Sequence, residues 1–514
     1  MDASLSERSA PGLERAPGAR RRLSFVVFSV GVSTLGAEIA AARLLAPFFG
    51  ASTIVWANTI ATVLVALSIG YWLGGTIADR RPHIEDLSRW VLVGACLVAL
   101  VPLVAQPFLS LSVEAFDEIE IGAALGSLVG VLALVAVPIL VLGAVAPWAI
   151  RLRVASVEDA GRTAGRLYAL STVGSLFGTF AAALVLIPLL GTQRTFIAFA
   201  LLLAVSAAAS LPARYLLVPA AIAALLAVPP GITKDTGDGR VIAERETEYQ
   251  YARVVEASGG ERRLELNEGV VMHSLYRPDT VLTDNYWDGF LSLPFAVLGR
   301  APRSLAVLGN AAGTMIRAYG HYFPRTAIDG VEIDAELTEL GRRYFGLRER
   351  PGLRLIDEDA RPFLRRTQRR YDAIFVDAYR QPYIPFYLAT REFFELVRAR
   401  LAPGGVVIVN AGHPEGNDDL EKVLARTMSE AFPTVLRDPL EPTNTLLIGS
   451  EAPASAGNLR DELPELPREL QPVAAQRIAE IGPSLPGGEV YTDDEARVEW
   501  LIDRSILGYA SESD

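Results

Sequence analysis

The solvent this chain is built for changes near Pro230, and that change constrains its fold more than any other feature. Residues 24–229 read as a chain for lipid, whereas residues 244–450 read as a water-soluble α/β enzyme. A hydrophobic content of 51% and a net charge of −11 over 514 residues average two unlike halves. Apolar runs at 24–46, 54–78, 90–111, 121–150 and 167–190 are long enough to cross a hydrocarbon core of about 30 Å as helices. Two shorter runs, 195–211 and 215–228, flank Pro212-Ala-Arg214. The bundle therefore has about seven apolar segments: seven crossings, or five and an irregular hairpin.

Charge orients the bundle. Arg20, Arg21 and Arg22 precede the first run, Arg80, Arg81 and Arg89 follow the second, and Arg151, Arg153, Arg162 and Arg166 follow the fourth. The third-to-fourth connection is acidic, with Glu114, Asp117, Glu118 and Glu120. This distribution places the N-terminus in the cytoplasm. Glu38, Arg43 and Asn58 lie in or beside the spans and should face other helices, an aqueous pocket or an interface. Gly174 and Gly178, and the glycines of Gly70-Tyr-Trp-Leu-Gly-Gly75, suit close helix contact. The stretch 70–81 also resembles a loop signature of major facilitator transporters, although the spans make at most a truncated version of that fold.

Beyond residue 244 the period changes. Short alternating runs over 244–274 predict a small antiparallel β region, within a β-rich stretch reaching residue 300. Apolar runs ending at Gly309, Glu332, Ile356, Val376 and Asn410, separated by helical stretches, predict a Rossmann-like α/β domain over 301–450. Residues 1–23 read as a polar tail, 230–243 as a linker and 451–514 as a helical C-terminal extension without a domain of its own. The fold class is thus a polytopic helical membrane bundle, a small β region and a methyltransferase-type α/β domain.

Acidic residues recur where these strands end. In an open parallel sheet such ends converge on one crevice, which makes a nucleoside site the leading reading. Glu332 is placed to accept from two ribose hydroxyls, Asp359 from an adenine amino group, and Asp377 to hold an amine or take its proton.

These segments resemble the spermidine synthase family of polyamine aminopropyltransferases. The likeness covers roughly residues 244–450 and rests on Glu248-Tyr-Gln-Tyr-Ala-Arg-Val254, Val331-Glu-Ile-Asp334, Glu358-Asp-Ala360, Phe375-Val-Asp-Ala378, Arg391-Glu-Phe-Phe394 and Leu401-Ala-Pro-Gly-Gly-Val406. Membrane-fused bacterial relatives resemble the whole arrangement. The resemblance implies decarboxylated S-adenosylmethionine and an amine as substrates, with no tightly bound cofactor. It implies Gln250, Gly309, Gly313, Glu332 and Asp359 as nucleoside contacts, Asp377 as the catalytic base and Tyr286 as its pocket tyrosine. Asp288, Trp287 and Arg380 are the implied substrate contacts.

The chain also departs from the family pattern. Gly309-Asn-Ala-Ala-Gly-Thr314 stands where the family carries Gly-Gly-Gly-Asp-Gly-Gly, so that Ala312 replaces an aspartate. Asp288 replaces a glutamate, Trp287 a histidine, and Arg380 an acid. Less negative charge disfavours a dicationic acceptor, and an arginine can instead hold a carboxylate. Lyase or cyclase chemistry on intact S-adenosylmethionine, methyl transfer, or a non-catalytic nucleoside sensor coupled to the bundle are the alternatives. Seven crossings would place the enzymatic half outside the cell, yet the cytosolic origin of the cosubstrate favours a cytoplasmic placement at the inner membrane.

Cys96 is the one cysteine and the four histidines lack metal-ligand spacing, so neither a disulfide framework nor a metal site is expected. Net acidity without a broad basic tract argues against nucleic acid. The bilayer and small-molecule substrates are the expected partners, with a homodimer as a further one.

Overall fold

The computed structural model describes residues 17–49, 53–116, 122–154, 156–228, 236, 238–267, 271–379, 384–498 and 501. Pro230, Arg380, Asp117, Glu118, Glu120 and Trp500 lie outside the described residues. By contact the chain divides into two units, Met1–Lys234 with Glu246–Gln250, and Asp235–Arg245 with Tyr251–Asp514.

The first unit is helical. Among the described residues five helices are long and apolar enough to cross a membrane: Gly18–Phe49, Val55–Arg80, Ile84–Ser112, Leu125–Arg153 and Val157–Leu190. Two shorter apolar helices follow, Thr192–Ala208 and Ala213–Leu225. The fourth and fifth each widen into a π turn, Leu132–Ala136 and Ala182–Leu186, just before Pro138 and Pro188. A proline clashes with the carbonyl four residues earlier, and a wider turn relieves the clash. The glycines work by close approach. A Cβ on Gly174 or Gly178 would strike the backbone of Phe28 or Val32 on the first helix, and one on Gly74 would strike that of Ala144. Asn58 donates to Ser127 Oγ at 3.0 Å, so its amide bridges two helices.

The basic turns gather at one end of this bundle. Arg153 donates to Ser24 Oγ at 2.9 Å, Arg151 to Asp79 at 2.9 Å, and the Trp148 indole to the Arg81 carbonyl at 3.2 Å. Glu246–Gln250 sits toward the opposite end. There the Glu246 carboxylate accepts from the first N–H of helix Thr192–Ala208, and Arg43 reaches the Glu248 carbonyl near the end of the first helix. That helix, Pro17–Phe49, has 33 residues, which at the α-helical rise is about 50 Å from end to end.

The second unit opens with a four-stranded sheet, β1 (Arg240–Glu246), β2 (Tyr251–Glu256), β3 (Arg262–Leu266) and β4 (Met272–Tyr276), in that order. β1 begins inside the stretch expected to be linker, where Arg240-Val-Ile-Ala-Glu forms the edge of this sheet. The β-rich stretch expected to residue 300 ends as strand at Tyr276. Short helical turns, Tyr286–Asp288, Gly289–Ser292 and Phe295–Leu298, fill its second half.

Among the described residues the large sheet has eight strands. Five are parallel: β5 (Ser304–Leu308), β6 (Ala327–Glu332), β7 (Leu353–Asp357), β8 (Tyr371–Val376) and β9 (Leu401–Gly412). Antiparallel β10 (Thr434–Glu441), β11 (Asn444–Ser450) and β12 (Gly482–Pro483) extend it, giving the order β12-β10-β11-β9-β8-β5-β6-β7. Helices cover both faces, so the middle positions of β5, β8 and β9 are apolar on both sides. Leu305, Val307, Ala373, Phe375, Val406 and Ile408 enter one core. Their alternates Ala306, Leu308, Ile374, Val376, Val407 and Val409 enter the other, as period-two geometry requires. The C-terminal extension supplies Leu459, Leu466 and Leu470 to the first core and Tyr491 and Val498 to the second.

Candidate active site

The order β7-β6-β5-β8-β9 places a topological switch between β5 and β8, where an open α/β sheet binds its ligand. The register brings the acids there. Leu308 pairs with both Val331 and Val376, and Glu332 pairs with Asp357, so the chain leaves these strands at one level. Asp377 N–H donates to Leu308 O at 2.9 Å, and Gly309 N–H to Val331 O at 2.9 Å.

Gly309 turns the chain away from β5 with φ +83°, and a Cβ there would press on the backbone of Asp377 and Ala378. Only glycine meets both conditions. Gly313 ends the loop at φ +88° and precedes helix Thr314–Tyr322. Between them Ala311 takes φ +43° and donates its N–H to Glu332 Oε2 at 2.8 Å, while Asp334 N–H donates to Oε1 at 3.1 Å. Glu332 is thus held at the loop by one bond to each oxygen, and burial raises its carboxyl to about 7. Each oxygen keeps a lone pair for a diol.

Asp377 is surrounded by donors. Its Oδ1 accepts from Asn410 Nδ2 at 2.8 Å, its Oδ2 from the Trp287 indole at 3.2 Å, and the Tyr286 hydroxyl lies 3.3 and 3.2 Å from the two oxygens. Tyr286 and Trp287 share the turn 286–288, their ring centroids 4.7 Å apart. Burial pushes the Asp377 carboxyl up to about 7, opposed by the bonds from Asn410, Trp287 and Tyr286. Burial and the neighbouring carboxylate hold the Tyr286 hydroxyl far above its usual range, so it stays protonated. A buried base near neutrality, free of any cationic partner among the described residues, suits proton transfer at physiological pH.

The structure thus gathers Asp377, Tyr286, Trp287, Gly309 and Glu332. It sends Asp288 elsewhere. Both oxygens of that buried carboxylate accept from Thr283 N–H, at 2.9 and 3.1 Å, and they also take the Thr283 hydroxyl at 2.8 Å and Asp284 N–H at 2.9 Å. Asp288 therefore fixes the loop before the aromatic turn. Asp359 caps helix Ala360–Arg366 through Arg361 N–H at 2.8 Å, and its second oxygen takes the Tyr387 hydroxyl at 2.6 Å. Gln250 lies in the segment that clusters with the helical unit, where it is buried and its carbonyl accepts from Thr247 N–H at 2.9 Å. Ala312 is buried, and its N–H donates to Ser274 Oγ at 3.0 Å. Arg380 lies outside the described residues.

Sequence reading missed Asn410, Asn444, Tyr379 and Tyr387. Asn444 Nδ2 donates to Asn410 Oδ1 at 2.9 Å, and the Tyr379 hydroxyl to Asn410 O at 2.8 Å. One signal was present: Asn410 follows the apolar run of β9 at the sheet end that carries the acids.

Residues 293–446 match the family described as spermine/spermidine synthase domain. A probable polyamine aminopropyl transferase of Bifidobacterium longum is 32% identical over 281 residues, covering 50% of this chain and 61% of that protein. A polyamine aminopropyltransferase of Vibrio vulnificus is 28% identical over 202 residues, covering 38% and 66%. The chain thus spans less than two thirds of the length of these relatives. A crystal structure of a probable spermidine synthase from Corynebacterium glutamicum aligns with a TM-score of 0.39 at 23% identity, over 49% of this chain and 98% of that one.

Proposed function

We propose that this spermidine synthase-like chain is a membrane-bound aminopropyltransferase, in which Asp377 receives the proton of an attacking amine. One observation carries the reading: a buried carboxylate at the β5/β8 switch, beside a glycine loop and a ribose-ready Glu332, surrounded by the donors Tyr286, Trp287 and Asn410. The amine nitrogen forms a bond to the methylene carbon next to sulfur. The carbon–sulfur bond breaks, its electron pair goes to sulfur, and methylthioadenosine leaves neutral. The proton released from nitrogen goes to Asp377. The sulfonium is an activated leaving group, so the protein's work is alignment and proton acceptance. Asp359 is the adenine acceptor in this reading.

Detergent-purified protein supplied with decarboxylated S-adenosylmethionine should release methylthioadenosine when an amine is present and little without one. Release without amine, or turnover of intact S-adenosylmethionine alone, would overturn transfer in favour of lyase or cyclase chemistry.

The membrane assignment rests on the five long apolar helices and on what they leave uncovered. Trp72 is 73% and Leu189 76% exposed, with Leu176, Phe177, Phe180 and Leu184 also outward, an apolar surface that water would disfavour and lipid would cover. Sidedness follows from the basic end. Read from those arginines in the cytoplasm, the bundle end that holds Glu246–Gln250 faces outward, against the cytoplasmic placement that the cosubstrate's origin favours. In a Cys96→Ser background, Glu248→Cys in intact cells should react with a membrane-impermeant maleimide, and Arg162→Cys only after lysis. The reverse pattern would support the cytoplasmic placement.

A further inference from the structure

We infer that Asn410, with its amide oriented by Asn444, is a positioning residue that holds Asp377 in the acceptor-only form the transfer requires. The inference rests on the reading of Asp377 as the base. An amide can present either its oxygen or its NH₂ to a neighbour, and which one it presents decides which state of a carboxyl it favours. Asn410 turns Nδ2 to Asp377 Oδ1 at 2.8 Å and Oδ1 to Asn444 Nδ2 at 2.9 Å. Turning the Asn410 amide over would set its oxygen against the carboxylate and its NH₂ against the NH₂ of Asn444. The Asn444 donor therefore locks the orientation, from a residue that does not itself bond Asp377.

The lock matters because the other two partners are also donors. The Trp287 indole can only donate, and the Tyr286 hydroxyl points at the carboxylate from 3.2 Å. A protonated Asp377 would bring a fourth proton into a ring of three donors, whereas the carboxylate satisfies all of them. The arrangement works against the burial that favours the neutral acid. Asn410 itself is buried, and its carbonyl is tied to the Tyr379 hydroxyl at 2.8 Å, so both ends of the residue are fixed. Tyr286 and Tyr379 are the titratable groups facing Asp377 among the described residues, and both stay protonated throughout the neutral range. His413, farther along the same segment, bonds Thr445 Oγ1 and the Pro414 carbonyl.

The test is the acid limb of the rate profile. Asn444→Asp replaces the locking donor by an acceptor, drawing the Asn410 NH₂ away from Asp377. Its acid limb should move about one unit to higher pH, a loss of roughly tenfold in rate below the limb, with nucleoside affinity unchanged. Asn444→Ser keeps a donor and should keep the wild-type limb, while Asn410→Ala should shift it at least as far as Asn444→Asp. Asn444 is half-buried, so its variants should fold even if Asn410→Ala does not; their melting temperatures report this. A rate loss in Asn444→Asp at an unmoved limb, or an equal shift in Asn444→Ser, overturns the positioning role alone. If Asp377→Asn keeps the wild-type acid limb, the base assignment fails, and the positioning role fails with it.

Discussion

Asp377→Asn is expected to lower the rate of transfer by roughly 10²–10⁴-fold, the usual contribution of a placed general base, at saturating sulfonium and amine. The substitution keeps the shape of the side chain but gives it an NH₂ that cannot accept a proton. Nucleoside binding should stay close to wild type, since Glu332 and the Gly309 loop are untouched. The pH profile supplies a second readout. Burial raises Asp377 to about 7, so its ionised fraction, and with it the rate, should climb as pH rises through that value. The variant should lose that limb. Wild-type turnover in Asp377→Asn would remove the base from the account.

The second large effect is on binding. Glu332→Ala should weaken methylthioadenosine or sulfonium affinity by roughly 10–100-fold, since hydrogen bonds to a charged group are worth about 1.5–3 kcal/mol. Part of that loss is internal, because Ala311 and Asp334 N–H groups would lose their acceptor. Glu332→Gln retains the acceptor oxygen and should lose less. The rate at saturation should change little in either variant, which separates a ribose contact from a catalytic group. A titration showing unaltered affinity in Glu332→Ala would refute the ribose assignment.

The parts of this architecture that depend on period were legible in the sequence. Runs such as Ser304-Leu-Ala-Val-Leu308 and Tyr371-Asp-Ala-Ile-Phe-Val376 have one structural solution when both faces are covered, and an acid directly after such a run lands at the ligand edge. The hydrogen bonds of Asp288 were not legible, because proximity to Tyr286 says nothing about where a carboxylate points. Its direction is set by the turn at Thr283 and Asp284, whose free N–H groups capture it. Asn410 escaped notice because a neutral amide has no distinctive spacing, and its partners Asp377 and Asn444 lie 33 and 34 residues away. The linker boundary failed for a different reason. Arg240-Val-Ile-Ala-Glu is short and charged, and only its place in the β1-β2-β3-β4 sheet makes it a strand.

The central claim is that one aminopropyl group passes to an amine for each methylthioadenosine released. Decarboxylated S-adenosylmethionine labelled in its propyl carbons, supplied with a panel of amines to the detergent-purified full chain, tests it in one measurement of product masses. The account predicts equal amounts of labelled aminopropylated amine and unlabelled methylthioadenosine. Label in a cyclised or eliminated small product, or nucleoside product without labelled amine, would contradict it.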